Sequence, residues 1–506
     1  MDLSISYSPF SIIILLAAVT LAIRIVGRRK RGRRYHPVGG TIFHQLPHFN
    51  RLHDFRADLA AKHRTFRLLS LSRSEVFTVD PENVKYILKT NFDNYGKGSE
   101  NYKRLSDLLG CGIFVVDGEK WRNQRKVSSY EFSVKNLRDF STRIFRANAV
   151  KLANVVATAA SSNRVVDIQD LFHRSTLDSI FKVAFGVDLD CIAGTNEEGK
   201  KFSADFDASN ALITWRYFDV LWPIKRFLNV GREAKLKRSI EGVNKFVYKI
   251  IEEARQTPTS GNDSSMKNEN ILSRFLKLSN TNSTYLRDII LNFVIAGRDT
   301  TGSTLSWFTY ALCKHPEIQE KIAQEVRDAT NVHGTTNYAE LVAHLTDESL
   351  DKMHYLHATL SETLRLYPAV PEDPKECFSD DTLPDGYSVK KGDLVGYMPY
   401  AMGRMKFIWG DDAEIFRPDR WLSKDDIFQP EHPFKFTAFQ AGPRICLGKD
   451  FAYTEMKIFA AVLVSSFVFQ LADEQKPVNY GMMLTLPIYG GLHVRVLHRK
   501  LHCHGS

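Results

Sequence analysis

The chain lacks any pair of cysteines in a C-x-x-C arrangement. Its six cysteines lie far apart, at positions 111, 191, 313, 377, 446 and 503. That spacing argues against a disulfide framework and a zinc ribbon. It suits reduced thiols in a cytosolic compartment, each by default a small buried hydrophobe. No internal repeat stands out. Charge of one sign is also scarce once a single segment is set aside. Arg24, Arg28, Arg29, Lys30, Arg31, Arg33 and Arg34 supply seven positives of a formal +10, so the remainder carries +3. A nucleic-acid partner is therefore not expected.

There is ample material for a core, with 43% hydrophobic and 25% charged residues in 506. Residues 3–23 contain no charge. A helix of that length spans about 30 Å, the thickness of a bilayer's hydrocarbon core. The basic cluster follows directly and should stay cytoplasmic, leaving the short N-terminus on the far side. A cleaved signal peptide would carry its positive charge before the apolar run; here the order is reversed. The expected organisation is a membrane anchor over residues 1–25, a basic stop-transfer segment and linker over 26–47, and a catalytic domain over 48–506. Single-pass insertion in the endoplasmic reticulum membrane, with the domain on the cytosolic side, fits this order.

Two β-like stretches fall at residues 66–71 and 75–79, and Pro81 opens a helix running to residue 88. Amphipathic patterns cover residues 150–160 and 232–255. Residues 256–270 read as an exposed loop rich in Ser, Thr, Asn and Gly. A long helix is expected over residues 285–314, then another over 316–330. Short strands recur at 386–389 and 492–497. The class is mainly α with a small β portion, without a clean second domain.

The decisive segment is Phe439-Gln440-Ala441-Gly442-Pro443-Arg444-Ile445-Cys446-Leu447-Gly448. Gly442 and Gly448 let backbone approach a flat cofactor closely. Arg444 offers a fork of donors to an acidic group at the cofactor's edge. Cys446 precedes a helix whose N-terminal dipole favours a thiolate, and such a ligand on haem iron favours O–O cleavage. The F-x-x-G-x-R-x-C-x-G spacing resembles the haem-binding signature of the cytochrome P-450 superfamily.

Other motifs resemble that superfamily's in the same order. Glu362-Thr363-Leu364-Arg365 matches its E-x-x-R helix, a pattern that a chain this long yields about twice by chance. Phe416-Arg417-Pro418-Asp419-Arg420-Trp421 resembles the later segment whose arginine joins the pair. The resemblance implies a charged cluster of Glu362, Arg365 and Arg420 beneath the haem. Ala296-Gly297-Arg298-Asp299-Thr300-Thr301 resembles the oxygen-activation motif, with Asp299 and Thr300 as proton carriers. Trp121 and Arg125, one helical turn apart, resemble the pair that holds a haem propionate, with Lys375 a candidate for the other. Arg122, Lys126 and Lys449 would form a docking patch for an electron donor.

Within the superfamily, residues 434–452, Tyr400-Ala401-Met402-Gly403-Arg404-Met405 and residues 35–41 resemble the plant fatty-acid hydroxylase clan, and its 704 family most closely. The resemblance implies haem b ligated by Cys446, electrons from NADPH through a flavoprotein reductase, O2, and ω-hydroxylation of a long-chain fatty acid. Phe114, Phe293, Ala296, Val370 and Leu486 fall where relatives line the distal cavity, though each also suits an ordinary core. Three alternatives stay open at this point: an in-chain hydroxylase or epoxidase, a haem-thiolate isomerase or dehydratase acting on hydroperoxides, and a non-catalytic haem sensor. Asp299 and Thr300 favour the monooxygenase.

Overall fold

Helical periodicity dominates the middle of the chain, and helices form there. A computed structural model describes residues 34–70, 73–133, 135–256, 272, 282–332 and 337–499. The longer helices are α1 (Leu52–Lys62), α2 (Gly98–Leu109), α3 (Gly118–Ser133), α4 (Lys135–Ser161), α5 (Ile168–Ile180), α6 (Glu197–Thr214), α7 (Gly231–Gln256), α8 (Ser283–Val294), α9 (Thr300–Lys314), α10 (Pro316–Thr330), α11 (His354–Leu366) and α12 (Lys449–Ser466). Their ends obey local chemistry. Asp167 caps α5 by accepting from Gln169 N and Asp170 N. Pro316 starts α10, where its missing N–H costs nothing.

The strands are β1 (Val38–Thr41), β2 (Thr65–Leu69), β3 (Ser74–Thr78), β4 (Tyr95–Gly96), β5 (Val166–Asp167), β6 (Asp373–Cys377), β7 (Asp381–Thr382), β8 (Ser388–Val389), β9 (Leu394–Tyr397), β10 (Phe467–Leu471) and β11 (His493–His498). Six form one sheet in the order β1-β2-β3-β9-β6-β4; β10-β11-β5 and β7-β8 make two smaller ones. The fold is mainly helical with a small sheet portion.

Residues 38–41, read from the sequence as part of a linker, pair in parallel with β2 and so join the large sheet. The expected anchor, residues 1–25, lies outside the described residues. So does the 256–270 loop, except for Gln256, which ends α7. Among the described residues no helix is long and apolar enough to cross a membrane.

The helix expected over 285–314 is interrupted. Residues Ile295–Asp299 form a π-turn between α8 and α9. The extra residue breaks the regular pairing of carbonyls with amides, and hydroxyls take up the slack. Thr300 Oγ1 donates to the Ala296 carbonyl, and Thr176 Oγ1 on α5 donates to that of Arg298 at 3.0 Å. Beyond the turn α9 is buried almost all round. Several of its buried hydroxyls bond within the helix, as Thr304 to the Thr300 carbonyl and Ser306 to that of Gly302, both at 2.7 Å, while Ser303 Oγ is buried without a partner. The main apolar core packs around α9, α11 and α12, and a second cluster lies under the large sheet.

Candidate functional site

The loop before α12 brings Cys446 to the edge of a cavity of about 250 Å³. The Cys446 amide donates to the Phe439 carbonyl at 2.9 Å, closing the loop on itself. Gly442 makes the tight part possible. Its φ is +67°, and a Cβ there would strike the Leu88 carbonyl. The thiol is exposed to the cavity. Burial within the protein raises its pKa, while the Gly448 N–H and the positive charge of Arg125 work the other way.

The same cavity is lined from several directions. Phe439, Cys446 and Gly448 form one side. Trp121 and Arg125 of α3, with Arg444, form an edge. Ala296, Gly297 and Thr300 come from the π-turned helix, and Phe114, Phe293 and Val370 add apolar surface. At Gly297 a Cβ would come within 2.9 Å of Ile180 Cδ1, so a larger residue there would require that side chain to shift. Gly442 and Leu486 lie outside the lining. Leu486 is fully buried, its amide bound to the Ala369 carbonyl at 3.0 Å and its own carbonyl to Trp307 Nε1 at 2.8 Å.

The basic residues at the edge suit an acidic ligand. Arg444 Nη2 donates to Asp117 Oδ1 at 2.6 Å and to the Val116 carbonyl at 3.1 Å, and the guanidinium lies 4.4 Å over the Trp121 ring. Its Nε is buried without a partner. Arg125 makes no ion pair among the described residues, and burial lowers its pKa. A haem fits this donor set. Cys446 would hold its iron, Trp121, Arg125 and Arg444 its propionates, and the glycine-rich loop its face.

Lys375 is placed differently. It lies outside the cavity lining, fully buried, with Nζ 2.7 Å from Asp373 Oδ2. Burial pulls its ammonium down to about 7 against that attraction. Burial also opposes the charge on Asp373, but Lys375 and Lys97 together hold the carboxyl below its usual range. Lys97, which no motif marks, lines the cavity and pairs with Asp373 at 2.6 Å. Tyr397 donates to the same carboxylate at 3.1 Å and lines the cavity too.

Asp299 and Thr300 are neighbours with different exposures. Thr300 lines the cavity, whereas Asp299 is buried behind it. Its carboxylate accepts from Arg298 Nη1 at 2.6 Å and from Asn210 Nδ2 at 3.0 Å. Arg298 also bonds Asp207 and Ser203 on α6. Burial pushes the Asp299 carboxyl up to about 6, with Arg298 resisting.

Glu362, Arg365 and Arg420 meet in a fully bonded cluster. Glu362 accepts from Arg365 Nε at 2.7 Å and Nη2 at 2.8 Å, from Arg420 Nε at 3.0 Å, from Trp421 Nε1 at 2.9 Å and from the Arg417 amide at 2.8 Å. Arg365 further donates to the carbonyls of Gly403, Ala413 and Ile415. Arg122, Lys126 and Lys449 are exposed; Arg122 pairs with Asp93 and Glu119.

Comparison with known proteins identifies the family. The family model for Cytochrome P450 matches residues 31–494. The chain is 49% identical to Cytochrome P450 704C1 of Pinus taeda over 99% of both chains. It is 44% identical to Cytochrome P450 704B1 of Arabidopsis thaliana, covering 94% of this chain and 96% of the relative. Cytochrome P450 86B1 of Arabidopsis thaliana is 40% identical, over 85% of this chain and 78% of its own. The chain therefore belongs to the cytochrome P450 family, whose haem is held by a cysteine thiolate.

Proposed function

We propose that the protein is a haem-thiolate monooxygenase that inserts one oxygen atom of O2 into a C–H bond of a long-chain fatty acid, at or near its terminal methyl. The observation that carries the reading is a single cavity with Cys446 on one side, the Ala296–Gly297–Thr300 stretch on another, and an apolar lining between. Resemblance to the plant fatty-acid hydroxylase clan supplies the substrate class.

Bound haem supplies the activation of O2, which no side chain can provide. The chain does the rest. Cys446 would hold the haem iron, and Trp121, Arg125 and Arg444 would orient the haem through its acidic edge. Phe114, Phe293, Ala296 and Val370 exclude water and align the hydrocarbon, which is how a strong primary C–H bond is selected over weaker neighbours. Asp299 stores a proton and Thr300 Oγ1 presents it to the cavity. Electrons come from NADPH through a flavoprotein reductase, docked on the basic face of Arg122, Lys126 and Lys449.

The protein sits on the endoplasmic reticulum membrane through its uncharged N-terminal stretch. A second contact is supported by exposed apolar side chains at Val220, Leu221, Ile224, Phe227 and Leu228; Phe227 is 88% exposed.

Product identification tests the reading. Yeast microsomes carrying the protein are fed fatty acids of graded length with NADPH, and products are fragmented by mass spectrometry. Terminal hydroxyl fragments are expected. If no lipid is oxidised under these conditions while a lipid hydroperoxide is consumed, the isomerase reading replaces this one.

A further inference from the structure

The chain leaves α2 through Gly110-Cys111-Gly112-Ile113-Phe114. Gly112, Ile113 and Phe114 line the cavity beside Cys446. Phe114 is 37% exposed, so packing fixes it less tightly than a core side chain. Its backbone is held instead by one face of α8, on which Asp288 and Asn292 stand a turn apart.

Asp288 Oδ2 accepts from the Cys111 amide at 2.8 Å. Asn292 Nδ2 donates to the Leu109 carbonyl at 2.9 Å, and its Oδ1 accepts from the Phe114 amide at 3.3 Å. One carboxamide thus spans the segment from its first approach to its end. Glycine gives the room for it. A Cβ on Gly110, whose φ is +57°, would strike the Asp288 carboxylate, and one on Gly112 would strike the Asn292 carboxamide. Either side chain would have to give up its loop bonds to move away. Two more bonds brace the segment. Gln124 of α3 donates to the Cys111 carbonyl at 2.8 Å, and Arg287 of α8 to the Asp107 carbonyl of α2 at 2.9 Å. Asn292 lines the cavity too, but its second N–H is committed to the Asp288 carbonyl at 2.7 Å. What it offers a ligand is therefore chiefly the loop that it holds.

We propose that Asn292 is a specificity-determining positioning residue, which fixes Ile113 and Phe114 so that a fatty acid presents its terminal methyl for oxidation. The inference rests on the fatty-acid reading above. Primary C–H bonds are stronger than the secondary ones beside them, so a tail free to shift is oxidised in-chain unless orientation prevents it. A wall pinned through its backbone supplies that orientation. Loosening it changes where oxygen is placed while the haem loop, on another part of the chain, is untouched.

The test uses the full-length holoprotein with its reductase, NADPH and hexadecanoic acid, and reads the ratio of terminal to in-chain hydroxylation by mass spectrometry. Asn292→Leu keeps the size of the side chain and removes its loop bonds. The ratio should fall about tenfold, as the loss of two ordinary hydrogen bonds allows. Backbone amide exchange over residues 109–115 should quicken, and the band of the reduced carbon-monoxide complex should keep its position. Gly112→Ala disturbs the same contact from the loop side and should lower the ratio in the same direction. Phe114→Ala should lower it as well, and adding Asn292→Leu to Phe114→Ala should then change little, because residues acting through one contact are not additive. If Asn292→Leu and Gly112→Ala both keep the wild-type ratio, or if the effects of Asn292→Leu and Phe114→Ala add in full, the proposal falls while the fatty-acid reading stands. If the wild type oxidises no fatty acid, both fall.

Discussion

Replacing Glu362 with Gln keeps the shape of the buried cluster and removes its charge. Five N–H groups converge on that carboxylate, four of them from side chains. The amide can accept at one oxygen only and points two hydrogens at donors. Arg420 keeps a second acid, Asp412 Oδ2 at 3.2 Å. Arg365 keeps only the carbonyls of Gly403, Ala413 and Ile415, and its charge stays buried without a counter-ion. Breaking one partner of a buried pair costs about 3–5 kcal/mol, and the surviving Asp412 bond places this variant near the lower end. With a urea m-value of about 3 kcal/mol/M, the unfolding midpoint should fall by about 1 M. The assay is a urea titration of purified holoprotein, followed by the absorption band of its reduced carbon-monoxide complex. A midpoint unchanged within about 0.2 M would refute the assignment of net stabilising charge to Glu362.

Thr300→Ala should leave haem binding intact but send a larger share of NADPH electrons to hydrogen peroxide; unchanged product per NADPH would remove the hydroxyl from its role. Asp299 has a folded pKa near 6, raised by burial, so between about pH 4 and 6 the folded protein holds a proton that the unfolded chain releases. Its contribution to stability therefore falls as pH rises through that window, on the order of 3 kcal/mol in all. The urea midpoint of the wild type minus that of Asp299→Asn should decline over the same range, and a flat difference would contradict the shift. Ile224→Asp with Phe227→Asp, in protein cut at residue 25, should release it further from phosphatidylcholine vesicles in a flotation assay; equal retention would place the second membrane contact elsewhere.

The candidate iron-binding loop was legible in the sequence because its pattern is local. Phe439, Gly442, Arg444, Cys446 and Gly448 work at fixed spacing along one turn, and spacing survives in a linear string. The Glu362 cluster was legible in part: spacing marks the i,i+3 pair and resemblance puts Arg420 with it, but Trp421 and the Arg417 amide reach Glu362 only through tertiary folding. Lys97 and Tyr397 left no mark: sheet pairing sets Tyr397 opposite Asp373, and Lys97, just past β4, reaches the same carboxylate through its side chain. The same ladder explains Lys375, which shares the side of Asp373 on a period-two strand and is taken up as its counter-ion. Leu486 is held in the core by its main chain, which bonds the Ala369 carbonyl and the Trp307 indole N–H. The π-turn at Ile295–Asp299 was hidden because apolar periodicity runs through it; it depends on the Thr176 hydroxyl of another helix.

The most direct test of Cys446 as the iron ligand is the absorption spectrum of Cys446→Ser after reduction under carbon monoxide. The wild type should show the red-shifted Soret band that marks thiolate ligation, and the variant should lose it, whether or not haem remains bound. A retained thiolate band in Cys446→Ser would place the ligand on another residue and contradict the arrangement of the cavity around this loop.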